Sequence, residues 1–465
     1  MDKGKRRDLG VHLTSVNIFK KFIFPKIKNK LNDYIWVDLF AGEGNLILPI
    51  LEQIEKDKRI EFFKANIYLF DIQSEMVDKS IQNAVSYGIP KEIAEKNILQ
   101  LDTLKNYPKF LLNSKKPVFH ITNPPYLYLG YISKHEKNKE QQKLFTGVNK
   151  GYQDLYQIAL INDLRNNLKN MIYIIPSNFL FGAVVSNKIR DDFLSRYNIN
   201  EAVIFEKKIF DFTGTNVIIC FFEKTDKINT KLEFDAIKIN CETKKRHYKL
   251  SNKNHFRAGF EFYEYTKKIK KTNSFSISFY LTENEINENL GKNKVVLLDS
   301  KKYTSRGYLK KEFFVNDYLY KKILSNPFFI RTVDTGSIDG KAGIYNIQEV
   351  FGVDGIFISG ATYRTCPIQM FLTPTLTDVN SKKLIKEFNN LLNKLRENTD
   401  SEFMTTYKYS NGTYIRKYLG LSQVKNLMQT FSLSDLSTYI EDSTQIEEYA
   451  TIEEPQIKRG LEQWF

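Results

Sequence analysis

Cysteine is nearly absent. The 465 residues contain three, Cys220, Cys241 and Cys366, far apart and with no Cys-x-x-Cys pair. That spacing excludes a zinc framework and a disulfide scaffold, and it suits a reducing cytoplasm. Tryptophan occurs twice, so Phe and Tyr supply nearly all of the 14% aromatic fraction. No run is long and apolar enough to cross a bilayer, and the start, Met-Asp-Lys-Gly-Lys-Arg-Arg, leads into no signal-peptide core. Together these absences predict a cytoplasmic protein without membrane contact.

What is present points to a folded globular chain. Hydrophobic residues make up 42% and charged residues 26%. The length exceeds what one ordinary core accommodates, so two domains are expected. The net charge is +15 and the pI about 9.2. A basic surface of that size attracts polyanions, nucleic acid foremost.

The first half alternates apolar runs with helical patterns, the signature of an α/β domain with a largely parallel sheet. Strands are expected at Tyr34–Leu39, Ala65–Phe70, Ile98–Leu101, Val118–Ile121, Met171–Ile175, Val203–Phe205 and Val217–Glu223. Helices are expected through Leu46–Ile54, near Glu75–Tyr87 and near Leu155–Leu168, and a later one at Ser381–Asn398. Beyond about Lys227 the composition turns basic, polar and turn-rich, with Lys244–Lys271 mixing Lys, Arg, His, Tyr and Phe. The expected division is therefore 1–228 and 229–465, the second part mixed α+β and ending in the acidic tail Tyr439–Gln456.

Chemistry-bearing residues gather at the ends of the predicted strands. Asp38-Leu39-Phe40-Ala41-Gly42-Glu43-Gly44 lies between a strand and a helix, where glycines let the backbone turn sharply and approach a ligand. A dinucleotide site wants a third glycine at position 47; Ile47 stands there, which disfavours NAD. Asp71 follows the second strand, where a carboxylate can grip ribose hydroxyls, or simply cap a helix. Asp102 follows the third, placed to accept from an adenine amine. Asn123-Pro124-Pro125-Tyr126 follows the fourth. Its prolines make a rigid turn that can hold the Asn amide and the Pro124 carbonyl in a fixed arrangement. Hydrogen bonds from a conjugated base amine to those two oxygens draw electron density back to nitrogen as it attacks, and Tyr126 offers the base a flat face.

On these residues the chain resembles the amino-methylating DNA methyltransferases, specifically the γ-class N6-adenine enzymes such as the TaqI methyltransferase, over roughly Leu9–Lys224. Gly10–Ser15 resembles motif X of that family, Asp38–Gly44 motif I, Asp71 motif II, Asp102 motif III and Asn123–Tyr126 the catalytic motif IV. Asp154–Tyr156 resembles motif V and Ile174–Asn178 motif VI, while Phe210, ahead of Thr215-Asn216-Val217, falls at the stacking aromatic of motif VIII. Ser15 and Leu39 replace usual prolines, and Ala159 stands where related enzymes often place an aromatic. The resemblance implies a Rossmann-like domain that binds S-adenosyl-L-methionine through Thr14, Asp38, Ala41, Gly42, Gly44, Asp71, Ile72, Asp102, Asn123 and Pro125. It implies catalysis by Asn123, Pro124, Tyr126 and Phe210 on a flipped adenine of double-stranded DNA, with no metal.

Rival readings meet obstacles in the same residues. Cytosine-C5 enzymes share the Asp-Leu-Phe-Ala-Gly string but need a Pro-Cys nucleophile, and the one adjacent pair here is Cys366-Pro367, in reverse order. Enzymes that methylate RNA, protein glutamine or the cytosine N4 amine share the cofactor fold and stay open as alternatives. No convincing nuclease site of the Pro-Asp…Glu-x-Lys type is present, so cleavage is expected of a separate restriction endonuclease or of none, with this chain acting as a monomer on DNA. Sequence reading is expected of the second domain, with Arg306, Arg331, Lys341 and Arg364 as candidates and Tyr414–Lys417 as a closing segment. The Lys- and Gln-rich loop Tyr131–Lys150 can cover the DNA or move independently.

Overall fold

The computed structural model describes residues 14–135, 139–182, 184–206, 209–210, 216–239, 242–271, 274–305, 307–334, 340–360, 367–398 and 418–437. Arg306, Arg364, Cys241, Cys366, the closing segment Tyr414–Lys417 and the acidic tail lie outside them. The chain forms two compact units, the first running through Phe260 and the second starting at Glu261.

The first unit is built on a sheet of nine strands among the described residues: β1 (Ile35–Asp38), β2 (Ile67–Asp71), β3 (Ile98–Gln100), β4 (Val118–Thr122), β5 (Asn170–Pro176), β6 (Tyr197–Phe205), β7 (Val217–Lys224), β8 (Lys231–Ile239) and β9 (Thr243–Ser251). Their order is β3-β2-β1-β4-β5-β7-β6-β8-β9. β1 pairs in parallel with both β2 and β4, and β4 with β5, whereas β7 runs antiparallel between β5 and β6. Strands covered on both faces carry unbroken apolar runs, and β1 and β4 are buried at every position. The helix Ser74–Ser86 buries Met76, Val77, Ser80, Ile81 and Ala84, one stripe at helical spacing.

Two expectations are revised. Motif I leads into a six-residue 3₁₀-helix, Leu48–Gln53, shorter than the helix expected through Leu46–Ile54. The composition change near residue 228 also falls inside the sheet, because β8 and β9 continue it. Both have one solvated face. Along β8, Leu232, Phe234 and Ala236 are buried while Lys231, Glu233 and Asp235 are exposed. Averaged over a window such a strand looks merely charged, and the period-2 alternation is the signal that survives. Phe234 stacks on its cross-strand partner Tyr248 at 5.4 Å between ring centroids.

The second unit contains β10 (Ser276–Phe279), β11 (Leu281–Thr282), β12 (Leu290–Thr304), β13 (Gly307–Val315), β14 (Phe328–Arg331), β15 (Gly343–Asn346), β16 (Gly355–Ile358) and β17 (Ile368–Thr373). They form two four-stranded sheets, β10-β17-β14-β15 and β11-β16-β12-β13. Helices are interspersed, the longest described being Asp378–Asn398, whose Leu384, Phe388, Leu392 and Leu395 are buried. The unit is mixed α+β, as expected. Among the described residues no helix is long and apolar enough to cross a membrane.

A fragment ending at Lys227 lacks the buried Leu232, Phe234, Tyr248 and Leu250, each worth roughly 1.5–3 kcal/mol of burial. A fragment ending at Phe260 should melt cooperatively in circular dichroism, while one ending at Lys227 should aggregate or melt without a sharp transition. Equal melts would make β8 and β9 accessory.

Candidate active site

The strand order reverses between β1 and β4. At such a switch point the loops leaving neighbouring strands diverge and open a crevice at the C-terminal ends. A cavity of about 310 Å³ lies there, lined by residues at the ends of β1 (Asp38), β2 (Asp71), β3 (Leu101, Asp102) and β4 (Asn123, Pro125). Thr14, Ala41, Gly42 and Ile72 complete the expected residues that line it, and Leu46, Leu104, Leu144 and Leu155 add apolar walls.

The loop after β1 is tied down residue by residue. The Leu39 N–H donates to His120 Nε2 at 3.2 Å, the Ala41 N–H to the Phe70 carbonyl at 2.8 Å, and the Gly42 N–H to Asp71 Oδ2 at 2.9 Å. Asp71 Oδ1 also accepts the Gln73 N–H, so this carboxylate organises the ends of two strands as well as facing the cavity. Burial raises its pKa despite those bonds. Gly42 and Gly44 both have positive φ, 54° and 80°. Gly44 does not line the cavity; a Cβ there would stand 2.6 Å from Leu48 Cδ1 and 2.8 Å from Ser80 Oγ, so its part is the tight turn.

Asp38 is 1% exposed. Its Oδ1 accepts from the Thr122 hydroxyl at 2.6 Å and the Phe40 N–H at 3.0 Å, while Oδ2 is buried with no hydrogen-bond partner. Desolvation raises its pKa to about 6, with the Thr122 and Phe40 bonds opposing. Asn123 Nδ2 donates to Thr14 Oγ1 at 2.9 Å, and Asn123 Oδ1 accepts from the Tyr126 hydroxyl. Tyr126 also reaches the Ile174 carbonyl at 2.7 Å.

That arrangement corrects the expected stacking faces. Tyr126 is 4% exposed, and its ring packs edge-on against Tyr156 at 6.5 Å. Phe210 is also buried, at 5% exposure in the first unit's core. Neither lines the cavity, nor does the buried Pro124. Tyr126 positions the Asn123 amide through its hydroxyl. The loop between Tyr131 and Lys150 contributes Glu140, Gln141 and Leu144 to the cavity, and Gln141 Oε1 is buried without a hydrogen-bond partner.

The chain matches the N-6 DNA methylase family model over residues 10–303. The chain belongs to that family. No curated protein matches it. Among solved structures, the Type IIL restriction-modification enzyme MmeI in complex with DNA is similar at a TM-score of 0.50 and 14% identity, covering 92% of this chain and 69% of that one. A modification subunit assigned to a type I restriction enzyme from Vibrio vulnificus YJ016 aligns at a TM-score of 0.38 and 15% identity, over 66% of this chain and 59% of that one. The methyltransferase subunit of a type I restriction-modification system from Streptococcus thermophilus aligns at 0.34 and 16%, over 48% and 47%. The chain thus spans 59% and 47% of the length of those two subunits. At such identities the likeness is one of fold.

Some residues around the cavity escaped the motif reading. His120 lies on β4 directly behind the Leu39 N–H, and its Nδ1 meets Asp163 Oδ2 at 2.6 Å. The Tyr173 hydroxyl donates to the same oxygen at 2.5 Å and the Tyr107 hydroxyl to Asp163 Oδ1 at 2.9 Å. Because Nε2 accepts from an amide, the imidazole proton sits on Nδ1 and faces the carboxylate. A polar residue in the apolar run Val118-Phe119-His120-Ile121 is the signal that points to it. Of the expected DNA readers, Lys341 is exposed, and the half-buried Arg331 stacks its guanidinium on Tyr345 at 4.6 Å.

Asp38 generates a stability prediction. Its folded pKa of about 6 exceeds the ordinary 3.8, so the folded state binds the proton more tightly, and stability is lost as pH rises through about 6. That difference, from 3.8 to about 6, corresponds to about 3 kcal/mol. Urea titrations of the wild type and Asp38→Asn, from about pH 4 to about pH 7, should diverge by up to about 3 kcal/mol in the variant's favour. Parallel profiles would show that Asp38 is not destabilised by burial.

Proposed function

We propose that the chain transfers a methyl group from S-adenosyl-L-methionine to the N6 amine of adenine at a specific sequence in double-stranded DNA. It is the modification enzyme beside a separate restriction endonuclease, a cytoplasmic protein acting as a monomer on its DNA. The observation that carries this reading is the convergence of Asp38, Asp71, Asp102 and Asn123 on one cavity at the ends of four parallel strands. Thr14, the described end of the segment resembling motif X, touches Asn123, which favours the γ-class order of motifs.

The residues fit this cofactor. The orphaned Asp38 Oδ2 is an acceptor waiting for a donor, and an α-ammonium group supplies both the hydrogen bond and the charge that a buried carboxylate lacks. Each Asp71 oxygen accepts one backbone N–H and keeps a second lone pair for ribose hydroxyls. Ile72, 55% exposed at the cavity, provides an apolar face for a purine ring, and Asp102 an acceptor for its amine. The chemistry supplied by the bound cofactor is a methyl group made electrophilic by its sulfonium.

The chain's own residues then act on the target amine. Asn123 Oδ1 and the Pro124 carbonyl accept its two N–H bonds, which weakens conjugation into the ring and raises electron density on nitrogen. The Thr14 bond occupies the amide nitrogen, which leaves the oxygen as the group to accept from the amine. Tyr126 has one hydroxyl proton and two acceptors within reach, Asn123 Oδ1 and the Ile174 carbonyl. The Asn123 oxygen has a second lone pair beside the one facing Tyr126, so it can accept from the amine as well. The adenine must be flipped from the stack to reach this point. For Phe210 or Tyr126 to stack on it, a buried ring face has to be uncovered.

The test is sequencing, with detection of N6-methyladenine, of the genomic DNA of a host lacking adenine methylation that expresses the chain. Wild type should mark adenine in one sequence context. Asn123→Ala should lower turnover about 10²–10³-fold, the scale of losing a transition-state hydrogen-bond partner, with calorimetric cofactor affinity retained. Unmodified DNA together with labelled RNA or protein would transfer the reading to those substrates.

A further inference from the structure

We infer that the two-stranded ribbon formed by the ends of β12 and β13 enters a groove of duplex DNA, an inference that takes its partner from the reading above. β12 and β13 pair antiparallel from Leu290↔Val315 to Thr304↔Gly307, but β16 pairs with β12 only from Leu297 to Asp299. β13 is the edge of its sheet. Past Asp299, therefore, no third strand among the described residues supports the pair, and Lys301, Lys302, Tyr303 and Thr304 are all exposed, so side chains on both faces of the ribbon meet solvent. The register shifts between Leu298↔Lys310 and Tyr303↔Tyr308, setting four residues of β12 against one of β13. An irregularity of that kind bends and twists a ribbon.

A solvated two-stranded ribbon is marginal by itself. This one is braced near its tip by the Tyr303 ring edge-on to Tyr308 at 4.8 Å, and by Tyr308 against Phe351 at 6.0 Å. Its chemistry is one-sided. From Ser300 to Lys311 the sequence contains Lys301, Lys302, Lys310 and Lys311 and no acidic residue. Lysines alone on an edge strand serve to block edge-to-edge pairing. That explanation does not account for Tyr303, 68% exposed, or Leu309, 39% exposed, on the same ribbon. Cations flanking exposed aromatic and aliphatic side chains suit a groove, where phosphates line the rims and base edges the floor. The major groove, about 12 Å wide, admits a two-stranded β-ribbon. Lys301, Lys302 and Tyr303 are exposed toward the end of the ribbon, which makes them the leading contacts.

The experiment uses the full chain, with the double variant Lys301→Ala/Lys302→Ala and the single variant Tyr303→Ala. Binding to a mixed-sequence duplex and to one carrying the methylated sequence is read by fluorescence anisotropy across a salt series. Calorimetric cofactor affinity serves as a control that none of these changes should move, and melting temperature as one that the lysine variant should not move. The double variant should bind both duplexes about fivefold or more weakly, with a salt slope shallower by about 1–2. Tyr303→Ala should keep the wild-type slope and lower the preference for the methylated sequence. Variants that fold and bind cofactor normally, yet match wild type in affinity, slope and preference, overturn the ribbon and leave the methylation reading standing. A wild type that binds duplex DNA with a steep salt slope but leaves host DNA unmethylated removes the methylation reading alone. A wild type that binds no duplex overturns both.

Discussion

Burying Asp38 at the end of β1 imposes a desolvation cost that its surroundings offset only in part. One carboxylate oxygen is held by the Thr122 hydroxyl and the Phe40 amide, and the other meets no partner. Much of the first unit is arranged around keeping that group where it is. Thr122 belongs to β4, so the contact depends on the parallel pairing of β1 with β4. The loop that follows Asp38 is pinned through Leu39 to His120, through Ala41 to Phe70 and through Gly42 to Asp71. A single unsatisfied acceptor thus sits in a frame with little room to relax, the condition under which a ligand's donor gains most from binding.

Behind that frame lies a second buried carboxylate with the opposite character. Asp163 accepts from His120, Tyr173 and Tyr107, and it is fully enclosed. Three donors give both of its oxygens partners, and it sets the tautomer of His120 that allows Nε2 to accept the Leu39 amide. The contrast between the two aspartates separates support from function. The satisfied one is structural and the unsatisfied one faces the cavity. Asn123 belongs with the second, because Thr14 and Tyr126 fix its amide from two sides while it lines the same cavity.

The motif residues were legible because each sits where an apolar strand ends, and that transition is local. Asp38, Asp71, Asp102 and Asn123 could each be placed from the run before them, and the structure brings all four to one cavity. The second half of the sheet was less legible. β8 and β9 have one wet face, so their Lys, Glu and Asp outweigh Leu232, Phe234, Tyr248 and Leu250 in any average, and the domain division was expected too early. His120 was passed over for the converse reason. A lone polar residue in an apolar run declares itself only through partners, and Asp163 lies 43 positions away.

What the amino-acid order determined by itself was the set of strands in the parallel half, the turns that end them and the chemistry waiting there. Those depend on backbone preferences and on runs a few residues long. Only the tertiary structure decided which side chains are buried and which are partnered. It withdrew Tyr126 and Phe210 from the surface, gave Asp71 two backbone donors, left Asp38 Oδ2 without any, and brought Gln141 to the cavity. Desolvation and hydrogen bonding act through neighbours distant in sequence, and no local pattern records which atoms those neighbours will be.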